Sequence, residues 1–171
     1  MLTPTVRRTF APRGQTPTHY CWDRRDRISA ISAITVSPKR RRVGLYFHLL
    51  PDNENVHAED IVQFLRLLDW HLRKPMTIVW DRINIHNRSI VVREYLRRHP
   101  RIVTEQLPAY APDLNPDEGV WSYTKYARLA NFAATDRADL RQAVTNELTM
   151  LRGRRDLLAS FIRQTKLPIR L

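Results

Sequence analysis

The apolar residues of this chain alternate between strand-like and helix-like spacing in one order, and that order limits it to a mixed α/β fold. Residues 28–36 are dense in β-branched side chains, are closed by Ser37-Pro38, and read as a strand. Residues 43–50 read as its neighbour, with the basic run Lys39-Arg40-Arg41-Arg42 as the connecting hairpin loop. Ahead of them, residues 7–21 read as extended chain broken by turns. Pro12-Arg13-Gly14 is the expected corner, because proline presets φ and glycine accepts a positive one. The chain is therefore expected to open as an antiparallel meander. After Pro51-Asp52-Asn53 the period changes, and Ile61, Phe64, Leu65, Leu68 and Leu72 fall at helical spacing.

The second half alternates in the same way. Met76-Thr77-Ile78-Val79-Trp80 reads as a buried strand, residues 89–98 as a helix ended by His99-Pro100, and residues 102–107 as another strand. A loop with prolines at 108, 112 and 116 leads into a helix predicted over 117–129. Two further helices are capped near Thr135 or Asp136 and broken around Gly153. Strands followed by alternating helices and strands give an α/β class in which an antiparallel meander continues into parallel strands, with flanking helices. At 171 residues one domain is expected over 1–171, with a helical C-terminal extension from about 135.

Charge narrows the partners. There are 29 Lys+Arg against 17 Asp+Glu, a net +12, and arginine supplies most of the excess. Its planar fork suits phosphate oxygens, so the expected partner is nucleic acid. Lys39, Arg40, Arg41, Arg42, Arg97, Arg98 and the residues from Arg152 to Arg155 are candidate contacts; a solvated basic face is the plainer reading of each. No apolar run reaches the length of a membrane helix, so no membrane partner is expected. The one cysteine, Cys21, rules out an internal disulfide and a cysteine-based zinc cluster, and suits a reducing, cytoplasmic setting.

Two carboxylates stand where chemistry is built in α/β proteins. Asp81 closes a predicted central strand, at the carboxyl edge where such sheets hold ligands. Its plain alternative is a capping or loop hydrogen bond. Glu118 follows the proline-stiffened loop in the first turn of a helix, with Asp117 beside it; acids there also suit the helix dipole. One acid closing a strand and one opening the helix after the next strand can converge on Mg²⁺, which takes a few carboxylates, keeps waters and accepts substrate phosphate. A pair of such ions serves in-line displacement at phosphorus.

The segment from Asp81 to His86, the run Leu107-Pro108-Ala109-Tyr110-Ala111-Pro112-Asp113-Leu114-Asn115-Pro116-Asp117-Glu118, and Trp121 with Lys125 resemble the second half of the DDE domain of IS630-type transposases, within the IS630/Tc1/mariner group. Arg8-Thr9-Phe10-Ala11-Pro12-Arg13-Gly14 is similar to an earlier stretch of that domain. The resemblance implies a ribonuclease-H-like mixed sheet and metal-dependent DNA strand cleavage and transfer during transposition. It implies a two-ion Mg²⁺ site, with Mn²⁺ as substitute, in which Asp81 is the second carboxylate and Glu118 the third. Asp117, His86 and Asn115 become groups that position ligands or substrate, and Lys125 joins the DNA-contact candidates. Arg82 stands where the family often has asparagine.

The family's first aspartate precedes the stretch matched by Arg8 to Gly14, and residues 1–6 contain no acid. The expectation is an N-terminally truncated domain without its opening strand, inactive alone. Asp23, Asp26 and Asp52 read as turn or loop acids rather than replacements. Two partners follow: DNA at transposon ends and target, and either a second copy or an upstream transposase fragment. The competing reading is a DNA-binding remnant without chemistry; a ribonuclease-H-like nuclease of another lineage is a third.

Overall fold

The computed structural model describes residues 5–8, 10–16, 18, 27–39, 42–167 and 169. Strands β1 (Ala30–Val36) and β2 (Val43–Leu49) form an antiparallel pair in which Ser32 faces Phe47 and Ile34 faces Leu45. At the base of the basic connection between them Ser37 N–H donates to the Arg42 carbonyl at 2.9 Å; Arg40 and Arg41 lie outside the described residues. Helix α1 (Ala58–Leu72) follows, its start fixed by His57 N–H donating to Asp60 at 2.7 Å. Then come β3 (Met76–Trp80), the short α2 (Asn84–Arg88), α3 (Ile90–Arg98) and β4 (Ile102–Gln106), with β3 and β4 parallel and in register from Met76↔Ile102 to Trp80↔Gln106. Helices α4 (Pro116–Ser122), α5 (Arg137–Gly153) and α6 (Arg155–Gln164) complete the chain.

Alternation along the hairpin decides where the helices go. Ile34 and Val36 of β1 share a face with Val43, Leu45, Phe47 and Leu49 of β2, and that face is covered by Val120 of α4, Leu148 and Leu151 of α5, and Leu158, Phe161 and Ile162 of α6. The other face meets α1: Ile31 joins Ile61, Val62 and Leu65, and Tyr46 sits edge-on to His71 at 5.5 Å. Met76, Ile78 and Trp80 of β3 and Ile102 of β4 pack on this second cluster with Val92 and Tyr95 of α3. The result is helices on both faces of a central β layer.

That layer has the expected antiparallel part followed by parallel strands and flanking helices, but not as one ladder. Among the described residues it consists of two hydrogen-bonded ladders, β1–β2 and β3–β4, and no strand bridges β1 to β3. Of the extended chain expected over residues 7–21, the described residues 10–16 form no ladder, and Thr9, Tyr20, Cys21, Trp22, Asp23 and Asp26 lie outside the described residues. The turn itself is as expected, with Gly14 at φ +85° and Gln15 N–H on the Pro12 carbonyl at 3.0 Å. Residues 5–7 are instead held in extended form by Asn131, whose amide both accepts from Arg7 N–H at 2.8 Å and donates to the Arg7 carbonyl at 2.9 Å.

Helix ends follow local chemistry. Ser89 caps α3 by accepting from Val92 N–H, and Asp136 caps α5 by accepting from Asp139 N–H at 2.8 Å. The helix predicted over 117–129 is α4 followed by a widened turn, Tyr123–Arg128, in which Leu129 N–H reaches the Thr124 carbonyl at 2.9 Å.

Helices α4 and α6 meet where α4 has no side chain. A Cβ on Gly119 would stand 2.9 Å from Phe161 Cγ. Gly119→Ala is therefore expected to lose about 1–3 kcal/mol to overpacking, more than the ~1 kcal/mol alanine gains in helix propensity. Gly153, with open space around its Cβ position, is the control: Gly153→Ala should be neutral or stabilising. Urea denaturation of the two variants checks the contrast.

Candidate active site

The parallel pair ends evenly. Trp80 and Gln106 are register partners, and Leu107 N–H donates to the Trp80 carbonyl at 2.8 Å. Asp81 and the proline-punctuated loop therefore leave the ladder at the same edge. Asp81 is 45% exposed. Its Oδ1 accepts from Ile83 N–H at 3.4 Å and lies 2.9 Å from His86 Nδ1. The His86 ring stacks on Trp80 at 4.5 Å, with the planes 6° apart. Strand β3 thus carries Asp81 at its end and, one residue earlier, the aromatic face that holds the histidine orienting it. In this arrangement Nδ1–H donates to the carboxylate.

The loop delivers the second acid. Pro112–Leu114 forms a 3₁₀ turn, and Asn115 caps α4, its Oδ1 accepting from Asp117 N–H at 3.1 Å. Asn115 therefore acts on the site through the backbone of the first helical turn. Asp117 and Glu118, consecutive in that turn, separate. Glu118 is exposed. Asp117 turns inward, where its Oδ2 accepts from Ser32 Oγ at 2.5 Å and from Trp121 Nε1 at 3.1 Å, while its Oδ1 is buried with no hydrogen-bond partner. Burial pushes the Asp117 carboxyl up from 3.8 to about 6, the Ser32 and Trp121 hydrogen bonds oppose this, and the Glu118 charge adds to it. Lys125 lies over the Trp121 ring, 5.8 Å from its centre.

Ser32 was not visible as a site residue. It lies far from Asp117 in sequence, and the hairpin register alone puts it on the face that α4 covers. Asp81 and Glu118 are joined by no hydrogen bond, and among the described residues no three ligating side chains form a metal-sized group. Asp52 is spoken for, holding α5 through Arg141 at 2.9 Å. Asp23 and Asp26 lie outside the described residues.

The basic candidates that end α3 do not lie at this edge. Arg97 and Arg98 close α3, which leads back to the start of β4, one strand length (roughly 16 Å) from Asp81. Both are bound to Glu94, at 3.0 and 2.7 Å, and hydrogen bonding from Arg97 chiefly holds that carboxylate down to about 2. Lys39 and Arg42 belong to the exposed β1–β2 turn.

A buried aspartate with a raised pKa makes folding depend on pH. Between about 3.8 and 6 the native state holds a proton on Asp117 that the unfolded chain has released, so stability falls as pH rises through that window. The cost above it is on the order of 2–3 kcal/mol. Asp117→Asn keeps an acceptor for Ser32 and Trp121 and removes the charge. In EDTA it should match the parent chain near pH 4 and exceed its stability at pH 7.5, measured by denaturant titration at both pH values.

A family model described as DDE superfamily endonuclease matches residues 1–141. No curated protein sequence matches. Among solved structures, the crystal structure of the Mos1 strand transfer complex is similar with a TM-score of 0.54 and 19% identity, over 92% of this chain and 50% of that one. The Mos1 transposase paired-end complex with left transposon end is similar with a TM-score of 0.55 and 19% identity, over 92% and 51%. This chain spans about half the length of the solved chains it matches, and at that identity the likeness is one of fold. A match over residues 1–141, on an α/β frame shared with these transposase structures, places the chain in the DDE superfamily endonuclease family.

Proposed function

We propose that this chain is the catalytic domain of an IS630/Tc1/mariner-type transposase, cleaving and joining DNA strands at transposon ends from a cytoplasmic protein. The observation that carries the reading is the shared exit of Asp81 and the Pro108–Pro116 loop from the β3–β4 edge. There His86 orients one carboxylate and the Asn115 cap seats the other at an exposed helix start. The donors are oxygens, which suit a hard divalent ion such as Mg²⁺ or Mn²⁺, and Asp81 and Glu118 are the residues that would hold it. Such ions, when bound, activate the attacking oxygen and stabilise the leaving one.

The chain's own residues prepare that site. His86 restricts the Asp81 carboxylate to one orientation. The Ser32–Asp117 bond fixes α4 against β1, so that Glu118 faces outward. Lys125, held over Trp121, gives positive charge one helical turn beyond Trp121, toward a DNA phosphate. Two carboxylates alone are a weak site, and the reading requires a third from outside the described residues. Among the described residues β1 and β3 each have one edge without a strand partner, which suits its delivery on an added strand, from an upstream transposase fragment or a second copy. No helix among the described residues is long and apolar enough to cross a membrane.

With Mn²⁺, transposon-end DNA and an upstream transposase fragment that supplies the third carboxylate, the chain is expected to nick DNA, and Asp81→Asn or Glu118→Gln should lower that rate by about a hundredfold or more. Equal rates in both variants would remove the catalytic assignment. The absence of a three-ligand group among the described residues favours a second reading, a DNA-binding remnant without chemistry. It predicts no nicking with any divalent ion, together with duplex binding that weakens steeply with salt as phosphate contacts release counterions. A filter-binding titration from 50 to 200 mM NaCl measures that slope; binding indifferent to salt would discard it.

A further inference from the structure

The opposite edge of the parallel pair carries a second feature that strand cleavage does not use. Arg66, Asp69 and Trp70 follow one face of the last turns of α1, at helical spacing, and Arg73 caps that helix in the left-handed conformation at φ +51°. With Tyr95 and His99 at the end of α3 and Arg101 just before β4, they line an open cleft of about 460 Å³, a size within the usual range of ligand sites (about 300–1,000 Å³). Arg101 precedes Ile102, the register partner of Met76, whereas Asp81 follows the Trp80↔Gln106 pair. The cleft and the candidate active site are thus at the two ends of the same strands.

Its chemistry is aromatic and cationic. Trp70 is 65% exposed, an unusual position for the largest apolar side chain, and the Arg73 guanidinium lies 5.8 Å from its ring centre. The Tyr95 ring has the His99 ring stacked on it at 4.0 Å and the Arg66 guanidinium 5.7 Å from its centre. Arg101 is paired with Asp69 at 2.6 Å, whereas Arg66 and Arg73 make no ion pair with a carboxylate among the described residues. His99 Nδ1 lies 2.8 Å from the Tyr95 carbonyl, which makes Nδ1 the donor and leaves Nε2 as an acceptor. The cleft therefore offers an aromatic platform beside two uncompensated guanidinium groups.

We propose that this cleft binds single-stranded nucleic acid, one base stacking on Trp70 while Arg66 and Arg73 take the neighbouring phosphates. Stacking on an exposed ring combined with a cationic wall is how proteins hold unpaired strands. Duplex bases, already stacked on one another, have no free face for Trp70. An acidic peptide would meet the arginines but leave the indole without a planar partner.

The test is fluorescence anisotropy of a labelled oligothymidylate 12-mer with the full chain in EDTA, so that the result is independent of strand cleavage. Trp70→Ala, at an exposed position, should weaken binding about tenfold or more, and the loss should persist at high salt because stacking releases no counterions. Trp70→Phe should recover part of it. Arg66→Gln with Arg73→Gln should weaken binding and flatten its salt dependence. Unlabelled single strand should compete better than duplex of equal length or polyglutamate. Unchanged affinity in Trp70→Ala, or equal competition by duplex or polyglutamate, overturns the proposal.

Discussion

The hydrogen bond from Ser32 to Asp117 is where strand register, helix placement and the candidate site depend on one another. Strand side chains alternate, so the face that sends Ile34 and Val36 into the α4–α6 core also sends Ser32 toward α4. A slip of one residue would present Ile31 or Ala33 to a buried carboxylate and leave it without its closest donor. With the register as it is, α4 is pinned by Asp117 from within and seated by Gly119 against Phe161. Glu118 is left as the side chain of that turn that faces outward. The burial of one acid is what aims the next.

The parallel pair divides the molecule in a second way. Its carboxyl end holds Asp81, His86 and the exit of the proline loop; its amino end holds Arg101 and the turn in which α3 terminates. Arg97 and Arg98, which end α3, and Arg101 of the cleft therefore lie at the amino end, and any nucleic acid touching both ends must span the length of β3. Net charge announces a polyanion but does not say which end receives it.

Much of this was legible before folding. The hairpin strands, α1, β3, β4, a helix starting at Ser89 and the cap near Thr135 or Asp136 each rest on chemistry within a few residues: β-branched runs, helical apolar spacing, a carboxylate one turn ahead of an amide. The short α2 was not, because five residues carry no period. The widened turn at Tyr123–Arg128 was not either, since its spacing of apolar residues is that of an ordinary helix. Nor did the sequence reveal that the β layer among the described residues is split between β1 and β3, because strand patterns specify faces and not neighbours.

For the site, the sequence by itself determined which acids matter as candidates and how they are mounted: Asp81 closing a strand, Asp117 and Glu118 opening a proline-guided helix, and the family to which those motifs belong. Only the tertiary structure decided that Asp117 is buried against Ser32 while Glu118 is exposed, that His86 rests on Trp80 to orient Asp81, and that Trp70 stands beside uncompensated arginines. The reason is one of range. Caps, turns and periodicity act between residues a turn apart, whereas burial and hydrogen-bond partners across the fold are set by which faces meet after the chain has closed on itself.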